Sequence, residues 1–100
     1  MSPAELEALL AGLLRLWQVE AALCVRRCGD QGILARIEAP RAAVKITYRI
    51  EPFGPAWHVE ETGQRRRTYP STIGPIRHLR ESLAPERGSA RVVFAAGRGG

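Results

Sequence analysis

The amino-terminal segment carries apolar residues at helical spacing. Positions that recur every three or four residues form one stripe, made of Leu6, Leu9, Leu10, Leu13, Leu14 and Trp17. Ser2 precedes Pro3, and Glu5 follows Ser2 by three residues, which is the pattern of a capping box with proline in the first turn. The segment is therefore predicted to be an amphipathic helix that packs this stripe against a sheet.

After Gln18 the apolar residues recur at every second position, which is typical of half-buried strands. Two such runs, near residues 21–26 and 33–37, flank the turn Gly29-Asp30-Gln31-Gly32. They predict a β-hairpin with a loop of about four or five residues. The strongest alternation covers residues 44–51, which predicts a third strand.

The pattern continues through two more strands and a second helix. The turn Pro52-Phe53-Gly54-Pro55 precedes a predicted strand at 57–61, and Thr62-Gly63-Gln64 precedes a predicted strand at 65–69. The second helix is predicted to start at Gly74-Pro75 and to stop at Pro85. Its apolar face consists of Ile76, Leu79 and Leu83.

The predicted fold class is α+β: an N-terminal helix, an antiparallel meander of four to five strands and a C-terminal helix, with both helices packed on one sheet face. The covered face is predicted to carry Leu23, Val25, Ile33, Ile37, Val44, Ile46, Tyr48, Ile50, Trp57 and Val59. The open face is predicted to carry Cys24, Arg26, Leu34, Arg36, Glu38, Lys45, Thr47, Arg49, Glu51, His58 and Glu60, as a solvated surface with cross-strand ion pairs.

The length and composition are those of one globular domain. The chain has 100 residues, of which 45% are hydrophobic and 25% charged. We expect a single α+β domain over residues 1–86 and a flexible tail over 87–100, with residues 91–95 as a candidate short edge strand. The longest apolar stretch is shorter than the roughly 20 residues of a membrane span. Glu5 and Glu7 stand where a secretory signal would be basic, so we expect a cytoplasmic protein with no membrane partner.

The charge is concentrated in the C-terminal third. The net charge is +5; residues 1–62 contribute −1 and residues 63–100 contribute +6. The predicted binding residues are Arg65, Arg66, Arg67, Tyr69, Arg77, His78 and Arg80. They suit phosphates or an acidic protein surface, and the alternative is an edge strand that its charge protects from aggregation. Lys45 is the only lysine beside 14 arginines, a bias typical of codon usage in a GC-rich genome, so the arginine count alone is weak evidence for phosphate binding.

The sequence predicts no catalytic residues, no metal site and no cofactor. Cys24 and Cys28 lie four residues apart on one predicted strand, too far for a disulfide, and no further Cys or nearby His completes a zinc set. His58 and His78 are isolated in the sequence. A thiol–base pair of Cys24 and His58 lacks the helix N-terminus or cationic pocket that lowers a thiol pKa.

One short segment resembles a known family. The helix–meander–helix order and the residues Gly54-Pro55-Ala56-Trp57-His58 are similar to the double-stranded-RNA-binding domain, which has a glycine–proline–histidine loop. Here the histidine is displaced by one position and the loop falls later in the meander. The start of the second helix, Gly74-Pro75-Ile76-Arg77-His78, also lacks that family's lysine cluster. We therefore assign the sequence to no family.

The leading functional hypothesis is a small non-enzymatic interaction module, such as an accessory, adaptor or inhibitor protein. It would bind another protein through its open sheet face or an edge strand, and a homodimer is compatible with the sequence. The alternative is nucleic-acid binding through the basic residues 65–80, where Tyr69 is the only aromatic residue available for stacking.

Overall fold

The computed structural model describes residues 1–86, and its architecture is the predicted α+β meander. The elements are α1 (Pro3–Leu16), β1 (Ala22–Cys28), β2 (Gly32–Glu38), β3 (Ala43–Glu51), β4 (Gly54–Glu61), β5 (Arg67–Tyr69) and α2 (Ile73–Leu83). The strands form one antiparallel sheet in the order β1-β2-β3-β4-β5. The predicted tail, with its candidate strand at 91–95, lies outside the described residues.

Helix α1 has cap hydrogen bonds at both of its ends. The Ser2 hydroxyl accepts the Glu5 backbone N–H at 3.1 Å, and the Glu5 carboxylate accepts the Ser2 backbone N–H at 2.8 Å, so the predicted capping box is confirmed. At the other end Gln18 adopts φ 57°, and the Val19 N–H reaches back to the Leu14 carbonyl. This left-handed residue with its long backward bond is a Schellman-type stop.

Both helices pack on the same face of the sheet, and the core lies between them and it. The helices contribute Leu6, Leu10, Leu14, Trp17, Leu79 and Leu83, and the sheet contributes Ile33, Ala35, Ile37, Val44, Ile46, Trp57 and Val59. Helix α1 lies mainly over β1, whereas α2 lies mainly over β4. The Tyr48 and Trp57 rings, which are cross-strand neighbours, are tilted against each other with their centroids 4.7 Å apart.

Three predicted strand details are wrong. Gly32 pairs with Cys28, so the first hairpin loop has only the residues between them; a Cβ on Gly32 would lie 2.2 Å from the Cys28 carbonyl oxygen, which explains the glycine. Strand β5 begins at Arg67 rather than at the predicted Arg65. The prediction was early because three consecutive arginines show no alternation of apolar and polar residues. Ile50 has the covered-face parity but is 51% exposed, since it lies near the end of β3.

The open face is less solvated than its sequence predicts. The expected cross-strand ion pair is present between Lys45 and Glu60, whose charged atoms are 3.1 Å apart. Leu34 and His58, however, are buried, with 7% and 8% exposure. Both lie in one row across the interior strands of the sheet, with Thr47 between them.

Candidate functional site

A cleft lies between β5 and α2 and contains four of the seven predicted binding residues. Its volume is about 760 Å³. Arg67 and Tyr69 line it from β5, and Arg77 and His78 line it from α2. We call this feature the β5–α2 cleft. The two elements are separated by only the three residues 70–72, which is why one short segment of sequence supplies both walls.

The other three predicted residues do not line the β5–α2 cleft. Arg65 and Arg66 are exposed in the connection that precedes β5. Arg66 lines a separate groove together with Lys45 and Glu60. Arg80 is half-buried on α2 and does not line the cleft. The predicted basic segment therefore divides between two concave surfaces, of which the β5–α2 cleft has a helix for one wall.

The β5–α2 cleft also contains a buried polar cluster that the sequence analysis missed. Nε2 of His78 lies 2.7 Å from Oε1 of Glu61, and the Ser82 hydroxyl donates to the same oxygen at 2.5 Å. The Glu61 and His78 side chains are 10% and 8% exposed. Because a carboxylate only accepts, His78 donates through Nε2. The Gln64 amide donates to the second Glu61 oxygen at 3.2 Å, so each oxygen of the carboxylate has a donor.

The sequence did contain a signal for this cluster. Glu61 has the same strand parity as Trp57 and Val59, so it had to point toward the helices although it is acidic. His78 and Ser82 are four residues apart and therefore share one face of α2. A buried carboxylate needs donors, and this helix face offers two.

Gly74 sets the distance between α2 and Tyr69. A Cβ placed on Gly74 would lie 2.3 Å from atoms of the Tyr69 ring, a separation that real side chains do not reach. The glycine thus allows the helix backbone to lie directly against the ring. One side of the aromatic ring is consequently covered by the protein itself.

On the open face His58 has both ring nitrogens in hydrogen bonds. Nε2 lies 3.1 Å from a Glu51 carboxylate oxygen, and Nδ1 lies 3.0 Å from the Thr68 hydroxyl. Cys24, which was considered as a partner for His58, is on β1, three strands away from β4. With strands spaced by about 4.8 Å, the two are separated by roughly 14 Å. The strand order therefore keeps the Cys24 thiol and the His58 ring too far apart to act as a thiol–base pair.

The turn between β3 and β4 presents an apolar surface that the sequence analysis treated only as a turn. Ile50, Pro52, Phe53 and Pro55 are all exposed there, and we call these four residues the hairpin tip. Phe53 is 104% exposed, so its ring has no cover from the protein. Gly54 adopts φ 121°, which residues with a Cβ rarely adopt, and Pro52 fixes its own φ. The backbone therefore places Phe53 in a two-residue turn between the paired residues Glu51 and Gly54.

Among residues 1–86 no group of three or more His, Cys, Asp or Glu side chains is arranged to hold a metal ion. Within the same residues, no helix is long and apolar enough to cross a membrane. Cys24 and Cys28 are free cysteines, the first exposed and the second half-buried. Comparison of the chain with protein-family models, with curated proteins and with solved structures found no match.

Proposed function

We propose that the protein is a non-enzymatic, cytoplasmic interaction module that binds another protein and uses the hairpin tip as its anchor. The observation that carries this proposal is the complete exposure of Phe53 at the end of a strand pair. Exposed aromatic residues in an apolar patch are characteristic of binding surfaces, and aromatic residues are enriched among those that dominate binding energy.

The hairpin tip has the physical properties of an anchor. Burial of a side chain such as Phe53 contributes about 1.5–3 kcal/mol. Pro52 and Pro55 flank the ring, and the tip continues an eight-residue pairing of β3 with β4. Because the strands are paired up to Glu51 and Gly54, only two residues of backbone remain to be ordered when the tip binds, which favours the net affinity.

The surfaces next to the hairpin tip can extend the contact. Ile50 and Arg49 line a shallow depression with the β1–β2 turn, so two turns lie together at this end of the sheet. Strand β1 is seven residues long and pairs only with β2 among the described strands. The proposed interface therefore includes the edge strand β1 and the open sheet face, with Phe53 as its anchor.

The proposal is tested by Phe53→Ala. Tagged wild-type protein and the variant are used to capture partners from the source cells after nuclease treatment, and the affinity of each captured partner is then measured. Removal of a dominant aromatic contact costs 2 kcal/mol or more, so we expect binding to weaken by about 30-fold. The matched control is Leu16→Ala, since Leu16 is 54% exposed at the end of α1, away from the hairpin tip. Equal binding by wild type and Phe53→Ala contradicts the proposal.

Nucleic-acid binding is the second candidate function. Residues 63–80 contain five arginines and no acidic residue, and none of the five forms an ion pair within residues 1–86. Affinity for duplex would then fall with salt, with a slope near −0.9 per neutralised phosphate. Replacement of Arg65, Arg66 and Arg67 by Gln would flatten that slope by up to about three units.

A further inference from the structure

The two arginines of the β5–α2 cleft form no ion pair with the described residues of the protein. Arg67 and Arg77 are exposed and project from the two opposite walls. Neither side chain forms an ion pair or a hydrogen bond within residues 1–86. A guanidinium group offers a planar fork of donors that matches a carboxylate. The cleft thus offers two such forks, one on each wall.

Among the described residues, Glu61 forms no ion pair with these arginines. It accepts hydrogen bonds from His78, Ser82 and Gln64 instead. Glu81, the other acidic residue in the lining, is exposed on α2. It is available as an acceptor for donors of a ligand. The lining therefore matches a ligand that has anionic groups for the two arginines and N–H donors for Glu81.

This mixed lining favours a peptide over a nucleic acid. The backbone of an extended peptide supplies N–H donors, and the cleft adds apolar contact at Pro70 and at Ile73, which is 60% exposed. Strand β5 is one edge of the sheet that the described residues form, so an extended segment in the cleft would lie beside it. Base stacking is less favoured because Tyr69 is the only aromatic residue among the described residues that line the cleft.

We infer that the β5–α2 cleft binds an acidic peptide segment of the partner protein, with Arg67 and Arg77 each taking a carboxylate. This inference rests on the proposed function, since it assigns the segment to the partner that the hairpin tip anchors. The chain's own residues 87–100 do not supply such a segment, because they contain three arginines and no acidic residue.

The test measures binding of fluorescein-labelled hexaglutamate to the full chain by anisotropy at low ionic strength. Hexaserine with the same label and decathymidylate are the comparison probes. We expect hexaglutamate to bind, hexaserine not to bind, and decathymidylate to bind more weakly than hexaglutamate. Replacement of Arg67 and Arg77 by Gln should weaken hexaglutamate binding by about tenfold per arginine, the loss expected for one charge-assisted hydrogen bond.

The control variant replaces Arg26 and Arg36 by Gln, two exposed arginines of the open face that lie outside the β5–α2 cleft. It should bind hexaglutamate as the wild type does. Absence of hexaglutamate binding, or equal loss in both double variants, overturns the inference. Tighter binding of decathymidylate that depends on Arg67 and Arg77 also overturns it, in favour of a nucleic-acid site. Phe53→Ala should leave hexaglutamate binding unchanged, which separates this test from that of the hairpin tip.

Discussion

The two helices cover the same sheet face but are attached to it in different ways. Helix α1 docks through a continuous apolar stripe, of which Leu6 and Leu10 are at most 2% exposed, and a capping box closes its first turn. Helix α2 also contributes Leu79 and Leu83, but it adds the polar His78 link to the sheet, and its N-cap has no side-chain hydrogen bond. Helix α1 is thus attached mainly by apolar packing, whereas α2 is attached by apolar packing and by polar contacts that line the β5–α2 cleft.

The largest effect is expected from the apolar attachment of α1. Leu10→Ala removes a side chain that is 2% exposed and leaves a cavity, which should lower the free energy of unfolding by about 2–5 kcal/mol. Leu16→Ala on the same helix should change it by less than about 0.5 kcal/mol, because Leu16 is 54% exposed. Chemical denaturation measures both. Equal midpoints for Leu10→Ala and wild type would show that α1 does not dock as described.

The polar attachment of α2 should contribute less. Glu61→Ala removes the shared acceptor of His78 and Ser82, and the loss should be about 1–3 kcal/mol. Glu60→Ala is the matched control, since Glu60 is the next residue, points to the opposite face and pairs with Lys45 at the surface. Such exposed pairs contribute about 0–1 kcal/mol. If the two variants are equally stable, the buried cluster does not hold α2 to β4.

The two helices also show which features of this protein could be predicted from sequence patterns and which could not. The stripe of α1 and the alternation in β3 predicted those elements because their periodicity is local. The Glu61–His78–Ser82 cluster joins positions 17 and 21 residues apart, so local periodicity could indicate its faces but not its partners. All seven predicted binding residues were grouped by their proximity in the basic segment of the sequence. Four of them line the cleft, whereas Arg65, Arg66 and Arg80 do not.

The exposure of single residues was harder to predict than the elements. Ile50 and Val44 have the same parity on β3, yet only Val44 is buried, since burial depends on the reach of the helices above the sheet. Leu34 and His58 are buried on the open face, in interior strands where neighbouring side chains are close on both sides. Phe53 stood in a predicted turn, and no pattern in its flanking residues distinguishes a covered ring from an exposed one.

Glycine substitutions should have opposite signs in the two helices. Gly12→Ala in α1 places a methyl group where no atom lies within 4 Å, so it should stabilise the protein by about 0.4–1 kcal/mol. Gly74→Ala in α2 forces a Cβ against the Tyr69 ring, which should destabilise it by about 1–3 kcal/mol. Thermal denaturation of both variants checks the signs. Stabilisation by Gly74→Ala would mean that Tyr69 does not lie against α2.

The smallest effects are expected at the two N-caps. Ser2→Ala removes the hydroxyl that accepts the Glu5 N–H and should lower the free energy of unfolding by about 1 kcal/mol. Thr72→Ala removes a side chain that makes no cap hydrogen bond, so its change should stay within about 0.5 kcal/mol. Urea denaturation at neutral pH measures both variants. A larger loss for Thr72→Ala than for Ser2→Ala would contradict the assigned difference between the helix starts.

The capping box of α1 should also respond to pH, whereas the start of α2 should not. The hydrogen bond from the Ser2 backbone N–H lowers the pKa of Glu5, with a smaller contribution from the Ser2 side chain. Because the folded state favours the ionised carboxylate, this contribution is present above the ordinary pKa of 4.5 and is lost as the pH falls through the lowered pKa. The stability difference between wild type and Glu5→Gln should therefore decrease over that range.

Thr72→Ala is the control for this pH dependence. The first turn of α2 contains no acidic residue, so the stability difference between Thr72→Ala and wild type should be the same above and below that range. A difference between wild type and Glu5→Gln that grows on acidification would show that the carboxylate does not stabilise α1 in this way.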